Sequence, residues 1–385
     1  MAKYLLLLLV LILGTAATST QSRSLRSCNQ VYDVIDYGAV GDGDTDDTQA
    51  FKDAWKDVCK SSSSSPIIRV PSGKSFLLQP LTFNGECKPD QIIFQIDGTM
   101  KAPSDPSDWK CQEHRYCKQW IAFDEVDNLM IRGSGTVDGQ GSTWWERRSS
   151  CKDHKHRDKR VCGRKPTGLV ISHSQNVHLE GLTFKNSPQM HMAFERSERV
   201  YASNLTIQAP GDSPNTDGIH LQHARNIFID HSRIMTGDDC ISIGHGSSHI
   251  NITRIACGPG HGISIGSLGI DGENETVEDV HVSDVVFTET TNGARIKTWQ
   301  SSAVKISNIR FENIYGTSHR KPAVNIACSK SVPCTDIVLS NVHLEAADDG
   351  DGDGDGDDGD EPSTHCANVQ GHAMGHVFPP LTCLS

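Results

Sequence analysis

Past its first two dozen residues this 385-residue chain has no apolar run approaching the roughly 20 residues that a membrane-spanning helix needs, so no helical membrane span is expected there. It has no Cys-x-x-Cys pair and no Cys/His cluster with zinc spacing, which excludes a zinc-ribbon or zinc-finger reading of its 13 cysteines. No stacking aromatics interleave with the most basic stretch, ERRSSCKDHKHRDKRVCGRK at 146–165, and that argues against nucleic-acid binding. A sustained helical stripe of apolar residues is missing too, apart from DDTQAFKDAWKDV at 46–58, so helices are not the main building material. Even the acidity is local. Of the formal net charge of −12, nine acids belong to one run at 347–362, and the rest of the chain carries only −3.

What is present begins with a leader. Lys3, an apolar run from Leu5 to Leu13 and the small residues Gly14, Thr15, Ala16, Ala17 and Ser19 have the grammar of a signal peptide, taken here as residues 1–22. Secretion into an oxidising compartment makes disulfides the natural fate of the cysteines. Three sequons, at Asn204, Asn251 and Asn274, fit the same route. The acidic run ADDGDGDGDGDDGDEP lacks the aliphatic residue of a calcium-binding nonapeptide repeat and the closing Glu of a calcium hand. It reads as a solvated low-complexity insertion. DGDTDD at 42–47 fails as a calcium loop because Asp47 stands where that loop needs Gly. No metal and no cofactor is assigned.

One template recurs through most of the chain: a short aliphatic–polar alternation, a polar or small residue, then another alternation. It appears at 176–184, 199–207, 226–234, 249–257, 279–287, 303–311 and 336–344. Period-two alternation of Val, Ile and Phe argues short strands. Such strands could build a sandwich or a propeller. Coil-to-coil similarity, with Asn or Asp often preceding or interrupting each strand, suits the tight bends of a parallel β-helix, in which each coil buries its apolar face on the next.

The chemistry concentrates in three stretches: SPNTDGIH at 213–220, TGDDCISIG at 236–244 and GPGHGISIGSLG at 258–269. They carry Asp217, Asp238, Asp239 and His261 at intervals matching successive coils, so one surface can display all four. Neighbouring carboxylates cannot all ionise cheaply, so one is expected to keep a proton at mildly acidic pH while the others stay charged. Glycosidic bond cleavage requires that division, a neutral acid for the leaving oxygen and an ionised group for water. An isolated Asp pair usually caps a turn; three aligned motifs point to a site. Arg295 and Lys297 lie two apart on an expected strand and so share a face, where a guanidinium and an ammonium can hold substrate carboxylates. Asn215 either shapes its turn or contacts sugar.

These motifs, together with VYDVIDYGAVGDGDTDDTQAF at 31–51, VDGQGSTWW at 137–145, NSPQMHMAF at 186–194, GARIKTWQ at 293–300 and CSKSVPC at 328–334, follow the order of the polygalacturonase family of pectin hydrolases, which the chain resembles in its plant branch. The resemblance implies an all-β fold, a right-handed parallel β-helix with a short N-terminal helical cap, as one domain over 28–385. It implies hydrolysis of α-1,4-galacturonosyl linkages in pectin or polygalacturonate with inversion, in cell wall remodelling. Asp238 would be the general acid, Asp217 and Asp239 would hold and activate water, and His261 would orient the acid. Arg295, Lys297 and Asn215 would contact substrate. Proximity and the resemblance favour the disulfides Cys59–Cys87, Cys111–Cys117, Cys151–Cys162, Cys240–Cys257, Cys328–Cys334 and Cys366–Cys383, leaving Cys28 over. The expected partner is the polysaccharide, with no nucleic acid, no membrane after leader cleavage, a monomeric state and an extracellular, cell wall location.

One departure stands out. In the family a further coil and a loop with a Tyr beside a Cys follow the RIKTW motif, whereas here Gln300 leads straight into SSAVKISNIRF at 301–311. About one coil is missing. A solenoid can lose a repeat and close, but the cleft loses a residue that the family places against sugar. A secreted pectin-binding β-helix with weakened turnover is therefore the alternative. A related hydrolase such as a rhamnogalacturonase fits less well with His261, Arg295 and Lys297 in place. Endo and exo attack remain open.

Overall fold

Alternating aliphatic and polar residues give each short segment one apolar face, and in the computed structural model that face turns inward on coil after coil. The structure describes residues 30–111, 117–150, 165–299, 304–318, 322–346, 362–381 and 384. Among them, parallel strands form one sheet of 18 strands and one of 10. The architecture is a right-handed parallel β-helix. The recurring segments read from the sequence run through the larger sheet, from Gln175–Glu180 and Thr183–Lys185 to Arg225–Met235, Ser247–Cys257, Thr276–Thr290, Lys305–Ser318 and Cys334–Ala346.

The ten-stranded sheet positions the chemistry. Its strands Ile219–Gln222, Ile241–Ile243, Ile263–Leu268, Ala294–Thr298 and Val324–Ala327 stack in register. Ile219, Ile241, Ile263, Ala294 and Val324 form one buried rung series, and Leu221, Ile243, Ile265, Ile296 and Ile326 another. The residues between them, His220, Ser242, Ser264, Arg295 and Asn325, align on the outer face. Fully burying each aliphatic side chain contributes about 2 kcal/mol. A slip of one residue would turn both Ile241 and Ile243 out of the apolar core and put the Ser242 hydroxyl into it, so the register is strongly fixed.

Bends between strands use residues that tolerate left-handed backbone. Asn176, Asn204, Asn226, Asp279, Asn308 and Asn341 all have φ between 52° and 56°. Some also link coils through side chains: Asn176 donates to Asn128 at 3.0 Å and Asn341 to Asn313 at 3.3 Å. The expected cap is a helix, Thr48–Val58, with Phe51, Ala54, Trp55 and Val58 buried on one face. It closes the end of the core, where Trp55 lies 4.9 Å from Phe83 and 5.7 Å from Phe123 between ring centroids.

Four of the expected disulfides are formed, Cys59–Cys87, Cys111–Cys117, Cys240–Cys257 and Cys328–Cys334. Cys366 is also disulfide-bonded; its expected partner Cys383, the pair Cys151–Cys162, Cys28, the leader 1–22 and the acidic residues of 347–361 lie outside the described residues. No described helix is long and apolar enough to cross a membrane. Across the apparent loss after Gln300 the stack is continuous, with Ala294, Arg295 and Ile296 paired to Val324, Asn325 and Ile326. In the larger sheet, Thr276–Thr290 pairs directly with Lys305–Ser318.

Candidate active site

The three motifs occupy equivalent turns on consecutive coils, each just before a strand of the ten-stranded sheet, and backbone hydrogen bonds fasten turn to turn. Gly218 N–H donates to Asp239 O at 2.9 Å, His261 N–H to Asp238 O at 2.8 Å and Cys240 N–H to Gly262 O at 2.8 Å. The Thr216 hydroxyl, wholly buried, accepts from Gly237 N–H at 3.1 Å and ties the Asp217 turn to the Asp-Asp turn. The glycines flanking His261 are required by this closeness. A Cβ on Gly260 (φ +145°) would stand 2.6 Å from Asp238 O, and one on Gly262 (φ +81°) 1.9 Å from Asn292 O.

Asp239 is the deepest of the carboxylates, 3% exposed. Its Oδ1 accepts from the Ser264 hydroxyl at 2.6 Å and Arg295 Nη2 at 3.0 Å, and its Oδ2 faces Lys297 Nζ at 3.5 Å. Arg295 and Lys297 thus do share a face, but part of their charge is engaged by Asp239. Such a buried charge needs that pairing: removing one partner of a buried pair typically costs about 3–5 kcal/mol.

Asp238 and His261 form a second unit, with His261 Nδ1 3.0 Å from Asp238 Oδ1. Burial works against ionisation of Asp238, yet the hydrogen bond and charge of His261 outweigh it and hold the carboxyl below its ordinary range. The same hydrogen bond raises the imidazole above its ordinary value, against the opposing effect of burial. The pair therefore keeps a proton on the histidine and the charge on the aspartate.

Asp217 behaves oppositely. Burial, reinforced by the charges of Asp239 and Asp238, pushes its carboxyl up to about 7. The Ser242 hydroxyl donates to Asp217 Oδ2 at 2.7 Å and lies 2.8 Å from His220 Nδ1. Burial lowers His220 to about 4, so the imidazole is neutral. With Asp217 ionised and the Ser242 proton directed to it, Nδ1 of His220 must carry its own proton; protonation of Asp217 lets the chain reverse. Below the turn, His191, wholly buried and likewise lowered to about 4 by burial, sets Nδ1 3.2 Å from the carbonyl oxygens of both Thr216 and Asp217.

Of the residues expected from the sequence, Asp217, Asp238, Asp239, His261, Arg295 and Lys297 come together. Asn215 lies two residues before Asp217 at an exposed left-handed bend (φ +59°), with no side-chain hydrogen bond among the described residues. His220, Ser242, Ser264 and His191 were not singled out. The repeated Ile-Ser-Ile-Gly at 241–244 and 263–266 was their available signal, since it places each serine in phase with Arg295. Asn325, whose buried Oδ1 has no hydrogen-bond partner, occupies the next rung. Ligand atoms of Asp238, Asp239 and His261 all lie within 4.8 Å of one another. Arg295 and Lys297 already neutralise Asp239, and those cations oppose a metal ion at the same carboxylate. The arrangement holds carboxyls in two protonation states side by side, as acid–base cleavage of an acetal requires.

Comparison with known proteins gives a concordant result. The profile of glycosyl hydrolases family 28 matches residues 59–315 and 300–374, two segments that overlap at 300–315. A probable polygalacturonase of Arabidopsis thaliana is 40% identical, covering 91% of this chain and 80% of its own length. A polygalacturonase of Persea americana is 42% identical over 81% of this chain and 73% of the relative. Among solved structures, an endo-xylogalacturonan hydrolase from Aspergillus tubingensis superposes with a TM-score of 0.71 at 24% identity, covering 90% of this chain and 91% of that one.

Proposed function

The chain belongs to glycosyl hydrolases family 28, and from that premise we propose that it hydrolyses α-1,4-galacturonosyl linkages in pectin or polygalacturonate. The observation that carries this is the meeting of Asp217, Asp238, Asp239 and His261 beside Arg295 and Lys297 on the outer face of one sheet. The C1–O bond breaks with its electron pair on the leaving oxygen, which takes a proton from a carboxyl; water adds to C1 from the opposite face and gives its proton to a carboxylate. Asp238 fills the first role by drawing on the proton of His261. Asp217 and Asp239 hold the water. Arg295 and Lys297 set a positive field for uronate carboxylates.

A second assignment has an observation of its own. Asp217 holds its proton up to about pH 7 while Asp238 is held ionised. In that assignment Asp217 is the acid and Asp238 the base. An aryl galacturonide with a good leaving group needs no acid, so the variant lacking the acid keeps its activity on it while losing activity on polymer. Asp238→Asn retaining aryl galacturonide cleavage supports the first assignment, and Asp217→Asn doing so supports the second.

The substrate reading is tested by reducing-end release from polygalacturonate beside a pull-down on the same polymer, with proton NMR of the first product. Release with inversion is expected. Capture of the polymer without release would favour the weakened, pectin-binding alternative, and the same anomer as was cleaved would refute inversion. The disulfides and sequons support an extracellular setting for the enzyme.

A further inference from the structure

The larger sheet carries a groove on strands other than those that follow the three catalytic motifs. On its outer face His178, Tyr201 and Phe228 occupy successive rungs and stack, with centroids 4.8 and 4.9 Å apart and ring planes within 13° and 5° of parallel. Tyr201 is 41% and Phe228 40% exposed, unusual for large apolar rings on a polar face. The next rung is Asn251, in register with Phe228 and followed by His281. The rings, Asp230, Asn251, Thr253 and Arg254 line one open groove of about 500 Å³.

Two details single out Asn251. Other asparagines along the sheet bond their neighbours, Asn176 to Asn128 and Asn226 to Glu198, whereas Asn251 makes no side-chain hydrogen bond among the described residues. Asp230 accepts from Arg254 and His231 with Oδ2, both at 2.7 Å, but its Oδ1 is buried without a partner. A buried carboxylate oxygen left unbonded calls for a donor. Asn251 also opens the sequon Asn251-Ile252-Thr253, and its Asn and Thr both line the groove.

We propose that Asn251 carries an N-linked glycan whose first sugar lies in this groove, packed over the Phe228 and Tyr201 rings, with a hydroxyl or acetamido N–H donating to Asp230 Oδ1. The donor is a polyprenyl-pyrophosphate-linked oligosaccharide. Asn251 Nδ2 forms a bond to the anomeric carbon, the bond from that carbon to the pyrophosphate oxygen breaks, the pyrophosphate leaves with the electron pair, and the amide gives up one proton. Asn204, at an exposed left-handed bend, and Asn274, in the exposed loop before Thr276, are not among the residues lining this groove.

The inference rests on the secretory route proposed above, and the test separates the two. The full chain is produced in a plant secretory host, its glycopeptides are mapped, and glycan release by an amidase is timed on native and denatured protein. Occupancy at Asn251 is expected, with release about tenfold slower from the native than from the denatured chain. Phe228→Ala should abolish that protection, Phe228→Tyr should keep it, and hydrolytic activity should be unchanged in both. No glycan anywhere on the chain refutes the secretory route. Glycan at Asn204 or Asn274 with Asn251 bare refutes the groove assignment alone. Equal release rates from native and denatured Asn251 also refute it, as does a bare Asn251 whose groove binds free pectin through Phe228.

Discussion

Replacing Asp217 with Asn should make the protein more stable at neutral pH while abolishing hydrolysis of the polymer. The native carboxyl titrates at about 7 against an ordinary value of 3.8, so between those values the folded chain holds a proton that the unfolded chain has released. Linkage then fixes the sign: native stability falls as pH rises through this window. The gap is about three units, and at about 1.4 kcal/mol per unit the accumulated cost at pH 7 is roughly 4 kcal/mol. An amide keeps the shape and still accepts from Ser242, but cannot ionise beside Asp238 and Asp239. For a chain of this length the gain corresponds to about 5 °C in melting temperature. Melts of parent and variant across pH 3.5–7.5 provide the assay, with the difference near zero below about pH 4 and growing steadily above it. A difference that stays flat across that range, or a variant less stable at pH 7, would show that Asp217 is not the proton-holding member of the cluster.

Asp238→Asn should lower turnover on polygalacturonate by about 10²–10⁴-fold with polymer binding retained, because the group acts in the transition state; turnover near the parent's would rule out its role. Arg295→Ala leaves Asp239 buried with half its compensation gone, so a loss of about 3–5 kcal/mol in a denaturant titration is expected, and an unchanged midpoint would mean the pair is not structural. Lys297→Ala should weaken binding of polygalacturonate more than of its methyl ester, and the contrast should shrink in salt. Equal losses on both polymers would show that the lysine does not read substrate charge. Inserting a family-like coil after Gln300 should raise turnover while leaving unfolding cooperative. An insert that folds but leaves turnover unchanged would contradict the importance given to that coil.

The coil architecture was legible because its signal repeats. Each segment from 176 onward spells the same alternation, and tertiary context had only to stack what local pattern had already shaped. The meeting of Asp217, Asp238, Asp239 and His261 followed from motif order for the same reason. The proton inventory did not. That Asp217 rather than Asp238 is pushed up depends on which side chains reach each carboxyl, and the Nδ1 of His261 settles it for Asp238 alone. Sequence spacing does not record that Arg295 and Lys297 both reach back to Asp239 across two coils. His220, Ser242 and Ser264 were hidden by chemical modesty: a neutral histidine and two serines in aliphatic strands look like ordinary outward residues until their rungs are aligned.

In a β-helix the axis behaves like a ruler graduated in strand spacings of about 4.8 Å. Excising one coil leaves the upstream part untouched and slides everything downstream along that ruler by one graduation. Here Asn325 is the immediate neighbour of Arg295, and His365 lies one graduation further on. Loss of one coil there would exchange that wall of the site in a single event without altering Asp217, Asp238 or Asp239, so this fold can change what its acids meet by translation.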